Sequence, residues 1–224
     1  MVSRKWEFWN AVIMLLGTAL VLAGQTSGWL MAMSVISFSA FVWLHYDHVS
    51  HFKPLGGYAN LVTALRFLLL TLVFLLLDSG HFLFAVFFVL ILCLDGLDGY
   101  LARRFNTASS VGGHFDMEVD AFFVLAMGIS LFEKDQALWW VLLIGLWRYL
   151  YVLCLFFSKL ERAQEPVSYA KKTVTVVAIG SLIWALFFFN EWSRAALLLS
   201  AIVISLSFLH SLYFHFSRKW IAIP

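Results

Sequence analysis

The chain has 224 residues, 62% of them hydrophobic and 12% charged, with a formal net charge of +2. A soluble domain carries about 25% charged residues, so this composition excludes an ordinary soluble globule and points to a polytopic, all-α membrane protein. The near-neutral charge leaves no basic footprint for a nucleic acid, and the two cysteines, Cys93 and Cys154, sit in apolar runs and make no disulfide framework.

A membrane-spanning helix needs about 20 predominantly apolar residues. Eight segments fit that pattern, at about 8–24, 28–45, 60–78, 82–105, 113–133, 137–158, 168–189 and 193–216. The first run lacks a small-residue cleavage site and is followed by another, so it is predicted as a membrane helix and not a removed signal peptide. The second leads into His45, His48 and His51, whose spacing resembles a metal motif. That segment is a short interfacial loop without further ligands, and no metal is assigned to it. The third opens Asn60-Leu61-Val62-Thr63-Ala64-Leu65-Arg66, placing an arginine that needs a counter-charge or a phosphate. The fourth ends, and the fifth begins, in an unusually acidic stretch, Asp95 to Asp120. The sixth carries Arg148 beside Tyr149 and Tyr151, a position suited to an acceptor or lipid phosphate or to an internal ion pair. The seventh opens with Lys171 and Lys172, and the eighth ends near His210 and His215, which are expected at the interface.

Charge sets the orientation. With both termini in the cytoplasm, cytoplasmic segments hold Arg4, Lys5, Lys53, Arg103, Arg104, Lys159, Arg162, Lys171, Lys172, Arg218 and Lys219, against only Lys134 and Arg194 outside. That asymmetry is a strong positive-inside signal. It places the acidic stretch at the cytoplasmic face of the cell's inner membrane.

Asp95 and Asp98 close the fourth run, and Asp116 and Asp120 open the fifth. Spacings of three and four put side chains on one helix face, and a short polar turn would bring the two helices alongside each other. An acidic residue at a membrane-helix centre costs roughly 2.5–3.5 kcal/mol. Four converging carboxylates therefore need a cation, and an all-oxygen set suits a hard cation such as Mg²⁺, Mn²⁺ or Ca²⁺. Gly96, Gly99 and Ala102 allow close approach, Arg103 offers a planar fork to phosphate oxygens, and Gly112 lies where a helix N-terminus favours anions. Glu118, off the aspartate face, is read as a solvent or loop contact.

These residues carry a resemblance. Asp95, Asp98, Gly99, Ala102, Arg103, Gly112, Asp116 and Asp120 fill every fixed position of D-x-x-D-G-x-x-A-R, eight residues, G-x-x-x-D-x-x-x-D. The chain resembles the CDP-alcohol phosphatidyltransferases, and Asn60, Thr63 and Arg66 match the family's N-x-x-T-x-x-R. The resemblance implies a six-helix core over residues 58–224, preceded by a two-helix transmembrane extension over residues 1–57. It implies that Asp95, Asp98 and Asp116 hold the metal, two ions in all, with Asp120 near or on the second as a fourth ligand and acting as general base. Gly99, Arg103 and Ser109 would contact the CDP portion of the donor, with Ala102 and Gly112 in the same site and Asn60 to Thr63 lining the pocket. The implied enzyme transfers a phosphatidyl group from a CDP-linked donor, most simply CDP-diacylglycerol, to a small alcohol, releasing CMP in phospholipid synthesis. The reverse pairing, a soluble CDP-alcohol with a lipid acceptor, stays open. Arg148, Lys171 and Lys172 are candidate acceptor contacts, and a homodimer is expected. The segment Met117-Glu118-Val119 matches neither the glycerol-phosphate nor the serine pattern of the family, so the acceptor is not legible. A divalent-cation transporter is the alternative, but Arg103 beside the carboxylates would repel a cation in transit.

Overall fold

The computed structural model describes residues 2–45, 58–76, 81–105, 110–134, 137–158 and 169–221. Among these residues the chain is helical apart from short turns, with no strand. The helices are α1 (Val2–Leu22), α2 (Gly28–Leu44), α3 (Tyr58–Leu76), α4 (His81–Phe105), α5 (Ser110–Glu133), α6 (Leu143–Phe157), α7 (Tyr169–Phe187) and α8 (Glu191–Ile221), with a 3₁₀ turn, Trp139–Leu142, ahead of α6. Each expected apolar run is a helix. Among the described residues three helices, Arg4–Leu22, Trp139–Phe157 and Glu191–Ser217, are long and apolar enough to cross a bilayer, and four shorter apolar helices accompany them. The chain is an all-α membrane protein. It divides into two compact units, Met1–Phe123 and Val124–Pro224, with the boundary inside α5.

The first unit begins with an antiparallel hairpin. Gly24 ends α1 with φ 84°, a left-handed conformation in which a Cβ would be strained. The Gly24 amide bonds Val21 O and the Gln25 amide bonds Leu20 O, each at 3.0 Å, which satisfies the last carbonyls of α1. Gly17 lets the hairpin close, because a Cβ there would lie 3.3 Å from Leu30 Cα. The core of this unit is aromatic. Phe38 of α2 lies 4.5 Å from Phe67 of α3 and 6.0 Å from both Phe115 and Phe122 of α5, centroid to centroid. Phe41 stacks on Phe115 at 5.5 Å, and Phe88 of α4 meets Phe123 at 5.4 Å. Each such pair adds about 0.5–1.5 kcal/mol beyond area burial. On α3, Leu61, Leu65, Leu68, Leu72 and Leu75 form an exposed stripe while Thr63, Arg66, Leu70 and Val73 are buried. The helical period thus separates a lipid-facing side from a side that holds the arginine inward.

In the second unit small residues permit close helix approach. A Cβ on Gly145 of α6 would lie 2.5 Å from Leu125 Cα and 2.7 Å from Leu125 N. Polar contacts join its helices where lipid offers no hydrophobic bias. Trp147 donates to Ser205 Oγ at 2.6 Å, and Ser181 donates to Ser200 Oγ at 3.0 Å. Asn190 and Ser193 cap α8 reciprocally, each side chain accepting the other's amide at 2.9 Å. His215, near the end of α8, is covered by its neighbours. It is 3% exposed, with Nδ1 2.9 Å from Ser211 O, because packing against Tyr151 covers the ring.

Candidate functional site

The site lies in the first unit and is built from α3, α4 and α5. Asp95 is on the penultimate stretch of α4, and Asp116 and Asp120 are one turn apart near the start of α5. Asp95, Asp116 and Asp120 each offer an oxygen within 4.8 Å of the others, which converts the two spacings read in the sequence into one cluster.

Arg66 holds that cluster together. Its Nη1 is 2.7 Å from Asp95 Oδ1 and 3.1 Å from Asp116 Oδ1, and its Nη2 is 2.6 Å from Asp120 Oδ1. The arginine is 1% exposed, while the three carboxylates are 37%, 39% and 46% exposed. The cation is sealed beneath the acids, and the acids open outward. Such a planar fork engages several carboxylates at once, which a lysine ammonium cannot do with the same geometry. The counter-charge that Arg66 requires is therefore the aspartate cluster itself.

The arrangement fits a divalent cation. One guanidinium against three carboxylates leaves two negative charges when all are ionised. One oxygen pledged to Arg66 does not exhaust a carboxylate's acceptor capacity. All donors are hard oxygens, the set preferred by Mg²⁺ and Mn²⁺.

Asn60 of α3 and Gly112 of α5 line one small pocket with Ala64, Val111 and Phe115, and the extension helix α2 supplies its remaining wall through Phe41 and Val42. Thr63 is buried on the same helix as Asn60. Asp98, Gly99, Ala102 and Arg103 belong to the last turns of α4, and their side chains lie outside the described residues, as does Ser109. Arg148, half-buried on α6, and Lys172, exposed on α7, belong to the second unit. The side chain of Lys171 lies outside the described residues. His45 is buried and its Nδ1 is 3.0 Å from Phe41 O at the end of α2, whereas His48 and His51 lie outside the described residues.

Glu118 corrects the sequence reading. It is 0% exposed and accepts Asn10 Nδ2 at 3.0 Å. It is therefore a buried group bonded to α1 and not a solvent contact. The signal that could have revealed this is Asn10, a polar side chain within an apolar run, because such a group in lipid needs a partner.

A family model described as CDP-alcohol phosphatidyltransferase matches residues 57–211. The CDP-diacylglycerol–inositol 3-phosphatidyltransferase 1 of Arabidopsis thaliana is 39% identical over 61 residues, covering 27% of this chain and 27% of that protein. The CDP-diacylglycerol–glycerol-3-phosphate 3-phosphatidyltransferase of Haemophilus influenzae (strain ATCC 51907 / DSM 11121 / KW20 / Rd) is 26% identical over 141 residues, covering 59% of this chain and 76% of that protein. The match thus takes in little more than a quarter of the plant protein's length and about three quarters of the bacterial protein's. No solved structure matches the chain.

Proposed function

This chain belongs to the CDP-alcohol phosphatidyltransferase family, and from that premise we propose that it transfers a phosphatidyl group from CDP-diacylglycerol to a small polyol, releasing CMP in phospholipid synthesis. The observation that carries the reading is the convergence of Asp95, Asp116 and Asp120 around one buried arginine, inside a signature whose eight fixed positions are all filled. The names of the two relatives give different acceptors, inositol and glycerol 3-phosphate. Both are polyhydroxy alcohols, which supports a polyol here without choosing between them.

Asp95, Asp98, Asp116 and Asp120 would hold Mg²⁺ or Mn²⁺, two ions when Asp98 completes the set. When bound, the ions neutralise charge on the donor pyrophosphate and on the departing CMP. The protein's own groups do the rest. Asn60, Thr63, Gly99, Ala102, Arg103, Ser109 and Gly112 bind the CDP portion and fix the phosphorus in place. Asp120, held by Arg66 through Oδ1, takes the acceptor's hydroxyl proton, for which Oδ2 is the candidate oxygen. The acceptor oxygen bonds the lipid-linked phosphorus as the bond to CMP breaks. The site faces the cytoplasm, where nucleotides are available, and the protein acts as a homodimer in the inner membrane.

The test is a CMP-release assay on purified protein with CDP-diacylglycerol and a panel of inositol, inositol phosphate, glycerol 3-phosphate and serine. The expected result is release driven by one polyol, with the matching phospholipid formed. Release that no alcohol stimulates would overturn the transferase reading, and a cation flux into proteoliposomes without CMP release would favour a transporter.

A further inference from the structure

The side of α5 opposite the aspartates is held by the N-terminal hairpin. Glu118 stands two residues from both Asp116 and Asp120, so it projects about 200° round the helix from Asp116. Its Oε2 accepts Asn10 Nδ2 at 3.0 Å, and Asn10 Oδ1 in turn accepts Ser37 Oγ at 2.7 Å. Trp6 Nε1 donates to Ser37 O at 2.9 Å. One turn earlier on α5, His114 Nδ1 lies 3.0 Å from Glu7 Oε1. Glu7 and Asn10 are three apart on α1, and His114 and Glu118 are four apart on α5, so the two helices meet at matching heights through one hydrogen bond, Asn10 to Glu118, and one close contact, His114 to Glu7, that lacks hydrogen-bond geometry. Asn10 and Glu118 are 0% exposed, Ser37 3% and Glu7 4%.

In a bilayer, apolar packing distinguishes weakly between one rotation of a helix and the next, because lipid is as apolar as a leucine side chain. Buried hydrogen bonds do distinguish them, since a slipped register leaves polar groups unsatisfied. Fixing the back of α5 fixes the rotation of its front. We propose that Asn10 and Glu118 are positioning residues, through which the two-helix extension sets the rotation and height of α5 so that Asp116 and Asp120 meet Asp95 and Arg66. The proposal rests on the reading of those aspartates as a divalent-ion site. It gives the extension a role in the reaction that its place outside the family's common core does not suggest.

The experiment measures Mn²⁺ binding by electron paramagnetic resonance on the purified full chain in detergent, alongside CMP release. Groups that hydrogen-bond a metal's ligands typically contribute about 10–100-fold to affinity or activity, and Asn10, which acts through the helix, is placed at the low end of that range. Asn10→Leu, close in volume but unable to hydrogen-bond, is expected to weaken Mn²⁺ binding about tenfold and to lower kcat by at least as much. The donor KM should change less than about twofold. Glu118→Gln keeps an acceptor for Asn10 and is expected to hold Mn²⁺ affinity within about twofold of wild type. Ser37→Ala, which removes only the bond orienting Asn10, is expected to weaken Mn²⁺ about threefold and decides the matter should Asn10→Leu fail to fold. Wild-type Mn²⁺ affinity in Asn10→Leu, or in Ser37→Ala if that is the readable variant, would overturn the proposal. So would an equal loss in Glu118→Gln and Asn10→Leu, because charge and not the shared hydrogen bond would then be operative. A wild-type protein that binds Mn²⁺ but releases no CMP would overturn the transferase reading, and the resonance would still decide the role of Asn10.

Discussion

Arg66 is a guanidinium almost sealed from solvent, with three half-exposed carboxylates around it. Removing one partner of a buried charge pair costs about 3–5 kcal/mol, and an exposed pair is worth about 0–1. Because the acids are open to solvent, the cost here should fall between those limits. Arg66→Leu should lower the thermal unfolding midpoint in chelator. Mn²⁺ should then raise the variant's midpoint by more than it raises the wild type's, since no internal cation shares the carboxylates. Equal Mn²⁺ increments in the two proteins would show that Arg66 and the metal do not draw on the same oxygens. Asp120 separates from its neighbours by role. Asp120→Asn should reduce turnover by about 10²–10⁴-fold, the usual worth of a general base, while CDP-donor binding measured on the same protein changes little. Near-normal turnover would remove Asp120 from the base role, and joint loss of binding and turnover would make it a metal ligand only.

At the level of helices, the glycines differ sharply in what surrounds them. A Cβ on Gly145 would press into the Leu125 backbone, whereas one on Gly180 would meet nothing within 4 Å. Gly145→Ala should therefore destabilise by about 1–3 kcal/mol, the cost of overpacking. Gly180→Ala should be neutral or stabilise by about 0.5–1 kcal/mol through helix propensity. Unfolding midpoints in one detergent check the pair, and equal effects would contradict the close α5–α6 approach. The helices themselves were legible because a bilayer demands long apolar runs, and each expected run falls on a helix. The start of α1 was not legible. The expected run began near residue 8, yet α1 begins at Val2, because Trp6, Glu7 and Asn10 are polar or amphipathic side chains with internal partners. The aspartates stood out for the opposite reason: carboxylates are expensive in apolar runs, so their spacing carried information. Periodicity also placed Glu118 off their face, but it does not say whether another helix covers that face. Only the fold supplied α1 as the neighbour.

For the whole molecule, the basic residues concentrate on one side of the expected topology, and the cluster opens outward from a sealed arginine. A cysteine at Ser109, in a protein lacking Cys93 and Cys154, should react with an impermeant thiol reagent only when the inner membrane face is exposed. Labelling in intact cells would overturn the cytoplasmic placement. On the proposed function, the aspartate cluster holds divalent ions for transfer from a CDP-linked lipid. The most direct measurement is CMP release from CDP-diacylglycerol by the purified protein, titrated with Mn²⁺ after complete chelation, for the wild type and for Asp95→Asn with Asp116→Asn. No release is expected in chelator, with recovery of the wild type on adding Mn²⁺ and no recovery of the double variant. Undiminished release in excess chelator, or wild-type rates from the double variant, would contradict the proposed function.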